Sequence, residues 1–311
     1  MTSPLAFSQF FALTVSLSLT FLATPTPRMM AADPQEKKAN VQKLKDAMDA
    51  AIQKSAVKQV AKAETEHLLV YATVPAGKIK PLADAAEKSF LFAANALKVE
   101  KVNELFAGKL ILIVVPDRKP YANLVFAVEG KRPESGDTYE IHTTGDVPFV
   151  SVSLGLGEKP NDAELKALAA GWTASAVLNK KLGTDPGAFD LPEWVQIGYG
   201  KIATLRAEGN SAKLTAYRTK AKALANGRTR GAVKVTDLWS GSQGKDQDIF
   251  AMSVVDCLAF GSQPERFIKL LTGLKKSDNN TNPTFESALA GLELKWEQLD
   301  AEWKSFVLKG K

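Results

Sequence analysis

The segment Lys109–Pro116, which reads KLILIVVP, is an unbroken apolar run that ends at a proline. Its length suits a β-strand, and a strand without polar residues is expected where both faces of a sheet are covered. The chain on either side has helical periodicity, at Lys80–Val99 and at Pro120–Gly130. The segment therefore predicts a central strand that is covered by helices.

The strands and helices are unevenly distributed along the chain. Further strands are predicted at Glu64–Pro75, Asp137–Thr144 and Pro148–Gly155, and the last two form a hairpin through a Gly-Asp turn. A first helix is predicted at 33–56, and after Gly157 the pattern is helical only, at about 161–182, 191–208, 212–225, 247–260, 263–274 and 295–308. Strands followed by helices predict an α+β fold. We expect an N-terminal mixed-sheet lobe at about 60–158 and an all-helical lobe at about 159–308.

The composition is that of an ordinary globular protein. The 311 residues are 45% hydrophobic and 24% charged, with a formal net charge of +6. Cys257 is the only cysteine, so an intramolecular disulfide is excluded. The basic run Tyr217–Lys234 is either a solvated helix and loop or a patch for an anionic envelope surface. Nucleic acid is not an expected partner, because no interleaved aromatic residues accompany the charge.

The N-terminus has the features of an export signal. Phe10–Ala23 is an uncharged apolar run, and small residues follow before Asp33. The run is short for a membrane-spanning helix and resembles the h-region of a signal peptide. We expect residues 1–32 to be a signal peptide, cleaved near Ala31 or Ala32, and residues 33–311 to form one secreted or periplasmic domain. An uncleaved anchor is the alternative.

Few side chains for metal or nucleophilic chemistry are present. The two histidines, His67 and His142, lie on separate predicted strands, and zinc sites usually draw on several His, Cys or carboxylate ligands. No P-loop, dinucleotide-binding glycine motif or nucleophile elbow is found. We therefore expect no metal and no cofactor. A catalytic pair of carboxylates remains open, because spacing does not select two among 34 acidic residues.

Several blocks, taken in order, resemble the peptidase MA-like, or gluzincin-type, domain of secreted bacterial proteins. ALAAGWTASAVLNK (Ala167–Lys180) occupies the place of that family's active-site helix, and LPEWVQIGYG (Leu191–Gly200) resembles the helix that supplies its third zinc ligand. The resemblance covers about residues 60–308 and implies a zincin-like fold. The family's His-Glu-x-x-His motif and third glutamate fall here on the degenerate positions Gly171, Trp172, Ser175 and Ile197.

The residues at these four positions cannot carry the family's chemistry. Gly171 and Ile197 offer no donor, Ser175 is a poor ligand, and the place of the general base is taken by the indole of Trp172. We expect Ala170, Ala174, Val177 and Leu178 to form a buried helix face. Trp172 and Ile197 would fill the former metal site as core, or Trp172 would form an aromatic floor for a peptide or glycan.

Three functions remain open. The leading one is a non-catalytic secreted protein with a binding or scaffolding role on a metallopeptidase-like fold, with an unknown partner. The second is a hydrolase that uses cleft carboxylates instead of zinc, and the third is a structural envelope component. An exposed Trp172 would favour binding, and two close, buried carboxylates in the cleft would favour the hydrolase.

Overall fold

The computed structural model describes residues 34–134, 136–154, 161–184, 191–209, 211–227, 233–239, 246–276 and 281–309. The expected signal peptide, residues 1–32, lies outside this part of the chain. The strands are β1 Ala61–Glu64, β2 Leu68–Ala72, β3 Leu110–Val114, β4 Tyr139–His142 and β5 Phe149–Val152. The helices are α1 Pro34–Ser55, α2 Ala76–Ala96, α3 Arg118–Glu129, α4 Asp162–Leu182, α5 Glu193–Glu208, α6 Ser211–Ala225, α7 Val235–Trp239, α8 Gln247–Phe260, α9 Glu265–Thr272, α10 Phe285–Ala290 and α11 Trp296–Lys309.

The five strands form one mixed sheet in the order β1-β2-β3-β5-β4. Strands β2, β3 and β5 are parallel, whereas β1 and β4 pair antiparallel with their neighbours at the two edges. The α+β prediction is therefore confirmed, including the mixed sheet and the hairpin of β4 and β5.

The sheet is covered on both faces, which explains the unbroken apolar run in β3. Leu110 and Leu112 pack on one face with α2 and α4, while Ile111 and Ile113 pack on the other face with α1 and α3. All five residues of β3 are buried. The first of these two cores continues into the helical lobe as far as the fully buried Trp303 of α11.

Helix α4 lies between the sheet and the helical lobe, and its ends are well defined. The side chain of Asn161 accepts hydrogen bonds from Ala163 N and Glu164 N, and Asn161 N donates to the Glu164 carboxylate 3.2 Å away. Gly183 ends the helix in the left-handed conformation at φ 61°. The predicted face of Ala170, Ala174, Val177 and Leu178 is buried, as expected.

Some predicted elements differ from the structure. Strand β1 was not predicted from the sequence. Its residues, AKAE, alternate between half-buried and exposed, but alanine is the only apolar residue type among them, so the pattern is too weak to indicate a strand. Helices α7 and α10, of 5 and 6 residues, are too short to show a periodic pattern. Helix α2 begins at Ala76 rather than Lys80, with Pro81 inside it. None of the helices in the described ranges combines the length and apolar character required to cross a membrane.

Candidate functional site

Helices α4 and α5 touch at a pair of glycines. A methyl group added to Gly200 would lie 2.5 Å from the carbonyl oxygen of Gly171 and 2.7 Å from Ser175 Oγ. Such distances are far below van der Waals contact, so only glycine at position 200 permits this approach of the backbones. The contact brings the positions that the sequence analysis singled out, Gly171 and Ser175 on α4 and Ile197 on α5, to one place.

A chain of hydrogen bonds runs between the two helices beside the glycine contact. Ser175 Oγ donates to the carbonyl oxygen of Gln196 at 2.8 Å and lies 3.2 Å from that of Gly171. Asn179 Nδ2 donates to the Gln196 side-chain oxygen at 3.2 Å, and Asn179 Oδ1 accepts from Thr184 Oγ1 at 2.9 Å. Ser175 is fully buried, so these bonds satisfy groups that water cannot reach.

Trp172 is not part of the closed core. Its side chain is half-buried and stacks on Tyr139 of β4, with ring centroids 3.6 Å apart and planes inclined by 19°. Ile197 is also half-buried. Trp172 packs against the main core on one side and borders a cavity on the other, and Ile197 borders the same cavity, so the two side chains fill this region only in part.

All four degenerate positions, Gly171, Trp172, Ser175 and Ile197, line one cavity of about 640 Å³. The cavity lies between the sheet edge and the helical lobe, where the sequence analysis expected a cleft. Among the described residues, those that line it are Thr138, Ser153, Leu154, Glu164, Ala167, Leu168, Gly171, Trp172, Ser175, Gln196, Ile197, Gly200, Lys201 and Asp248.

The polar groups of this cavity are not arranged for hydrolysis. Ser175 and Ser153 donate to backbone carbonyl oxygens, so neither hydroxyl is held by a base. Glu164 and Asp248 are exposed, and Asp248 forms an ion pair with Lys201. A nucleophile or general base requires an activating neighbour or a tuned environment. The described lining residues of the cavity offer neither.

A second cavity, of about 580 Å³, follows the open edge of β4. On the strand side it is lined by residues Tyr139 to His142. On the helical side it is lined by Asn179 of α4, by Thr184 just after α4, and by Gln196 of α5. Gln196 borders both cavities, and the stacked rings of Trp172 and Tyr139 lie between them. The two cavities therefore lie next to each other along the edge of the sheet, on either side of the stacked pair, and together they are called the groove.

His142 stands in this second cavity between two carboxylates. Its Nε2 lies 2.8 Å from Glu129 Oε1 and 3.9 Å from Glu140 Oε2. Burial lowers the pKa of His142, but the two carboxylates outweigh burial and raise the pKa to about 9. The imidazole is therefore protonated and cationic at neutral pH.

His67 has a different environment, in the turn before β2 rather than on the strand. It is 6% exposed, and its ring nitrogens lie 2.5 Å from Glu87 Oε1 and 2.7 Å from Asn103 Oδ1. Both ring nitrogens are thus used within the fold. Cys257 is partly buried, and burial raises the pKa of its thiol to about 12, which keeps the thiol protonated.

The basic run Tyr217–Lys234 falls largely on α6, and residues 228–232 lie outside the described ranges. Tyr217, Ala221 and Leu224 are buried on one face of the helix, while Lys220 is exposed. This is the pattern of an amphipathic surface helix.

Several residues of the groove could not be identified from the sequence. Gln196, rather than the aligned Ile197, bridges α4 and α5. Tyr139, Glu129 and Glu140 reach the groove only because β4 is an edge strand beside α3 and α4. An aromatic residue and two glutamates in such segments carry no sequence signal of their own.

Comparison with known proteins gives no relative for this chain: no family model matches it, and neither a curated protein nor a solved structure matches it at a significant level.

Proposed function

We propose that the chain is an exported, non-catalytic binding protein on a zincin-like fold, and that its groove accepts an extended peptide. The observation that carries this proposal is the open cavity of about 640 Å³ beside the half-buried Trp172, next to the edge strand β4. Export rests on the signal-like residues 1–32.

The zincin-like arrangement is supported by the relative positions of three elements. Edge strand β4 is antiparallel to its neighbour β5, α4 packs beside it, and α5 crosses α4 at the Gly171–Gly200 contact. The segments that resemble the two metal-binding helices of gluzincins, on α4 and α5, thus face the same cavity.

An extended peptide is favoured because, within the described part of the chain, β4 has a strand neighbour on one side only. Ser153 N donates to the Thr138 carbonyl oxygen at 2.7 Å, and hydrogen-bonded pairs alternate in antiparallel strands. The backbone N–H and C=O of Ile141 therefore point away from β5, and Ile141 lines the second cavity. Peptides commonly bind by adding a strand to such an edge, where main-chain hydrogen bonds supply affinity.

Binding is favoured over hydrolysis by the character of the groove. Trp172 presents aromatic surface to the cavity, and aromatic residues commonly anchor bound ligands. The carboxylates of the main cavity, Glu164 and Asp248, are exposed, and Asp248 is neutralised by Lys201. A close pair of buried carboxylates, the feature expected of the hydrolase, is not found among the described residues of the main cavity. In the second cavity, Glu129 and Glu140 are only partly buried and both contact His142.

The test is a screen of unstructured peptides against the mature protein, followed by titration of the best binder. Trp172→Ala should weaken binding about tenfold or more, as expected for an aromatic anchor. Trp296→Ala is a matched control, since Trp296 is also half-buried and stacked, on Phe285, but lies outside both cavities. Methylation of alternate backbone nitrogens of the peptide should abolish binding if the peptide pairs with β4.

Two results would count against the proposal. Equal affinity of the Trp172→Ala and Trp296→Ala variants would exclude the groove as the peptide site. Binding of oligosaccharides but not peptides, with the same sensitivity to Trp172→Ala, would retain the groove but replace the ligand.

A further inference from the structure

Three potential metal ligands meet at the end of the second cavity. Glu140 and His142 are two residues apart on β4 and therefore point to the same face of the sheet, where Glu129 ends α3. One donor atom from each side chain lies within 4.8 Å of the other two. The imidazole of His142 is held by stacking on Phe149, with ring centroids 4.7 Å apart and planes inclined by 10°.

The central oxygen of this cluster lacks a satisfactory partner. Glu129 Oε1 is closed to solvent and accepts no hydrogen bond, although His142 Nε2 lies 2.8 Å away. The contact has the distance of an ion pair without the direction of a hydrogen bond. The cationic imidazole balances the charge of this carboxylate, but the oxygen receives no well-directed hydrogen bond, and native structures usually satisfy such a group with a donor, a water molecule or an ion.

A cation would satisfy this oxygen with little movement of the side chains. Metal–ligand distances of about 2.0–2.2 Å for imidazole and carboxylate donors place neighbouring donors about 3.0–3.5 Å apart. The present separations of 2.8 and 3.9 Å bracket this range. Beyond the three ligands, the described lining of the cavity is balanced in charge, with Glu134 and Asp137 against Lys131 and Arg132.

We propose that Glu129, Glu140 and His142 bind a divalent transition-metal ion, of which Zn²⁺ is the representative. One imidazole nitrogen with two carboxylate oxygens suits such ions better than Mg²⁺ or Ca²⁺, which prefer oxygen ligands alone. The ion would take the place of the proton on His142 between the two carboxylates. The open cavity leaves coordination positions for water.

This site is distinct from the degenerate positions at Gly171 and Ser175, and it does not rest on peptide binding. It departs from the expectation of a metal-free protein, which rested on the small number of histidines and cysteines, whereas the structure joins His142 and its strand neighbour Glu140 with Glu129 of α3. Glu66, His67 and Glu87 also bring three donor atoms within 4.8 Å of one another, but both ring nitrogens of His67 are already in contact with Glu87 and Asn103.

The experiment uses the mature protein without a histidine tag, stripped with a chelator and dialysed against Zn²⁺. Wild type should bind one ion per chain and melt at a higher temperature with Zn²⁺ present. His142→Ala and Glu129→Gln should each weaken Zn²⁺ binding by about tenfold or more, the loss seen even for supporting residues of metal sites. Glu134→Gln is the control, since Glu134 lines the same cavity outside the ligand set.

Co²⁺ provides a second readout, because its visible absorption reports nitrogen and carboxylate ligation directly. The proposal fails if wild type binds no Zn²⁺, if His142→Ala binds it as tightly as Glu134→Gln does, or if Ca²⁺ or Mg²⁺ binds as tightly as Zn²⁺. If circular dichroism shows that His142→Ala is unfolded, the comparison of Glu140→Gln with Glu134→Gln decides the question.

Discussion

The ring of Trp172 on α4 stacks on the ring of Tyr139 on β4, with centroids 3.6 Å apart. This contact ties the edge strand of the sheet to the first helix of the helical lobe. Because it lies between the two cavities of the groove, any segment bound along β4 passes close to it. The stacked pair therefore contributes to the shape of the groove as well as to the packing of the two lobes.

Trp172→Ala should destabilise the fold much less than Trp303→Ala. Trp303 is fully buried, and its Nε1 donates to Ser253 Oγ at 2.9 Å, so its loss leaves a cavity and removes one of the two hydrogen bonds of the Ser253 hydroxyl, which also donates to the Phe250 carbonyl oxygen. Truncation of a core tryptophan costs about 3–5 kcal/mol, whereas an aromatic stack contributes about 0.5–1.5 kcal/mol beyond its buried area. Urea unfolding of both variants measures the difference, and equal losses would mean that Trp172 is core.

Gly200→Ala should be strongly destabilising, and Gly77→Ala should not. The methyl group at position 200 would meet the Gly171 carbonyl oxygen at 2.5 Å, which forces α4 and α5 apart. Overpacking of this kind costs about 1–3 kcal/mol or more. Gly77 lies in α2 with nothing within 4 Å of an added methyl group, so alanine there should stabilise by about 0.5–1 kcal/mol. Thermal melts of the two variants should shift in opposite directions.

The sequence predicts the fold well and the groove less well, for physical reasons. Buried segments such as Leu110–Val114 and the α4 face carry periodic apolar patterns, because packing against several neighbours requires them. Only the resemblance to the gluzincin-type domain predicted that the four degenerate positions lie on two neighbouring helices. The packing of Gly171 against Gly200, which leaves a cavity beside Trp172, depends on contacts between helices. Such contacts have no period in the sequence.

The buried pair of His67 and Glu87 should make stability depend on pH. Burial lowers the pKa of His67, but Glu87 and Asn103 outweigh it, and the pKa lies above its usual 6.5. Burial raises the pKa of Glu87, but His67 and Thr65 outweigh it, and the pKa lies below its usual 4.5. The pair should contribute fully to stability between pH 4.5 and 6.5. Its contribution should decrease as pH rises through the folded-state pKa of His67, and also as pH falls through the folded-state pKa of Glu87.

Glu87→Gln tests this dependence. The free energy of unfolding of wild type minus that of the variant should be largest in the mildly acidic range and should shrink towards both extremes. Exposed Glu66 also faces His67 and remains in the variant, so a small residual dependence is expected. A difference that does not change with pH would show that the pair carries no net charge interaction.

Two aspartates on α8 provide a matched comparison of ion pairs with α5. The Asp256 side chain is 2% exposed and is held by Arg206, at 2.6 Å, and by the Tyr217 hydroxyl, whereas the Asp248 side chain is 54% exposed and pairs with Lys201. Asp256→Ala should cost about 3–5 kcal/mol, because it leaves Arg206 without its partner. Asp248→Ala should cost about 0–1 kcal/mol. Denaturant titration of both variants checks this, and comparable losses would contradict the assignment of Asp256 as a buried anchor.

Restoring the gluzincin residues should cost stability without restoring peptidase activity. The variant combines Gly171→His, Trp172→Glu, Ser175→His and Ile197→Glu. At position 175 an imidazole would enter a fully buried site and remove the hydrogen bond to the Gln196 carbonyl oxygen. At position 172 the stack on Tyr139 would be lost, and two new carboxylates would enter a partly apolar cavity. Unpaired charges in such surroundings are costly.

The melting temperature of this variant, with chelator and with Zn²⁺, separates the causes of the loss. In chelator it should melt well below wild type, and Ser175→His should cost more than Trp172→Glu or Ile197→Glu, because Ser175 is fully buried and hydrogen-bonded to α5 whereas Trp172 and Ile197 are half-buried. Zn²⁺ should recover part of the loss if the new ligands converge, since an ion that binds only the folded state stabilises it. The same measurement with His142→Ala added to the variant removes any stabilisation by Zn²⁺ bound to Glu129, Glu140 and His142. If the quadruple variant is as stable as wild type in chelator, α4 and α5 can separate at Ser175. The tight glycine contact would then not determine the shape of the groove.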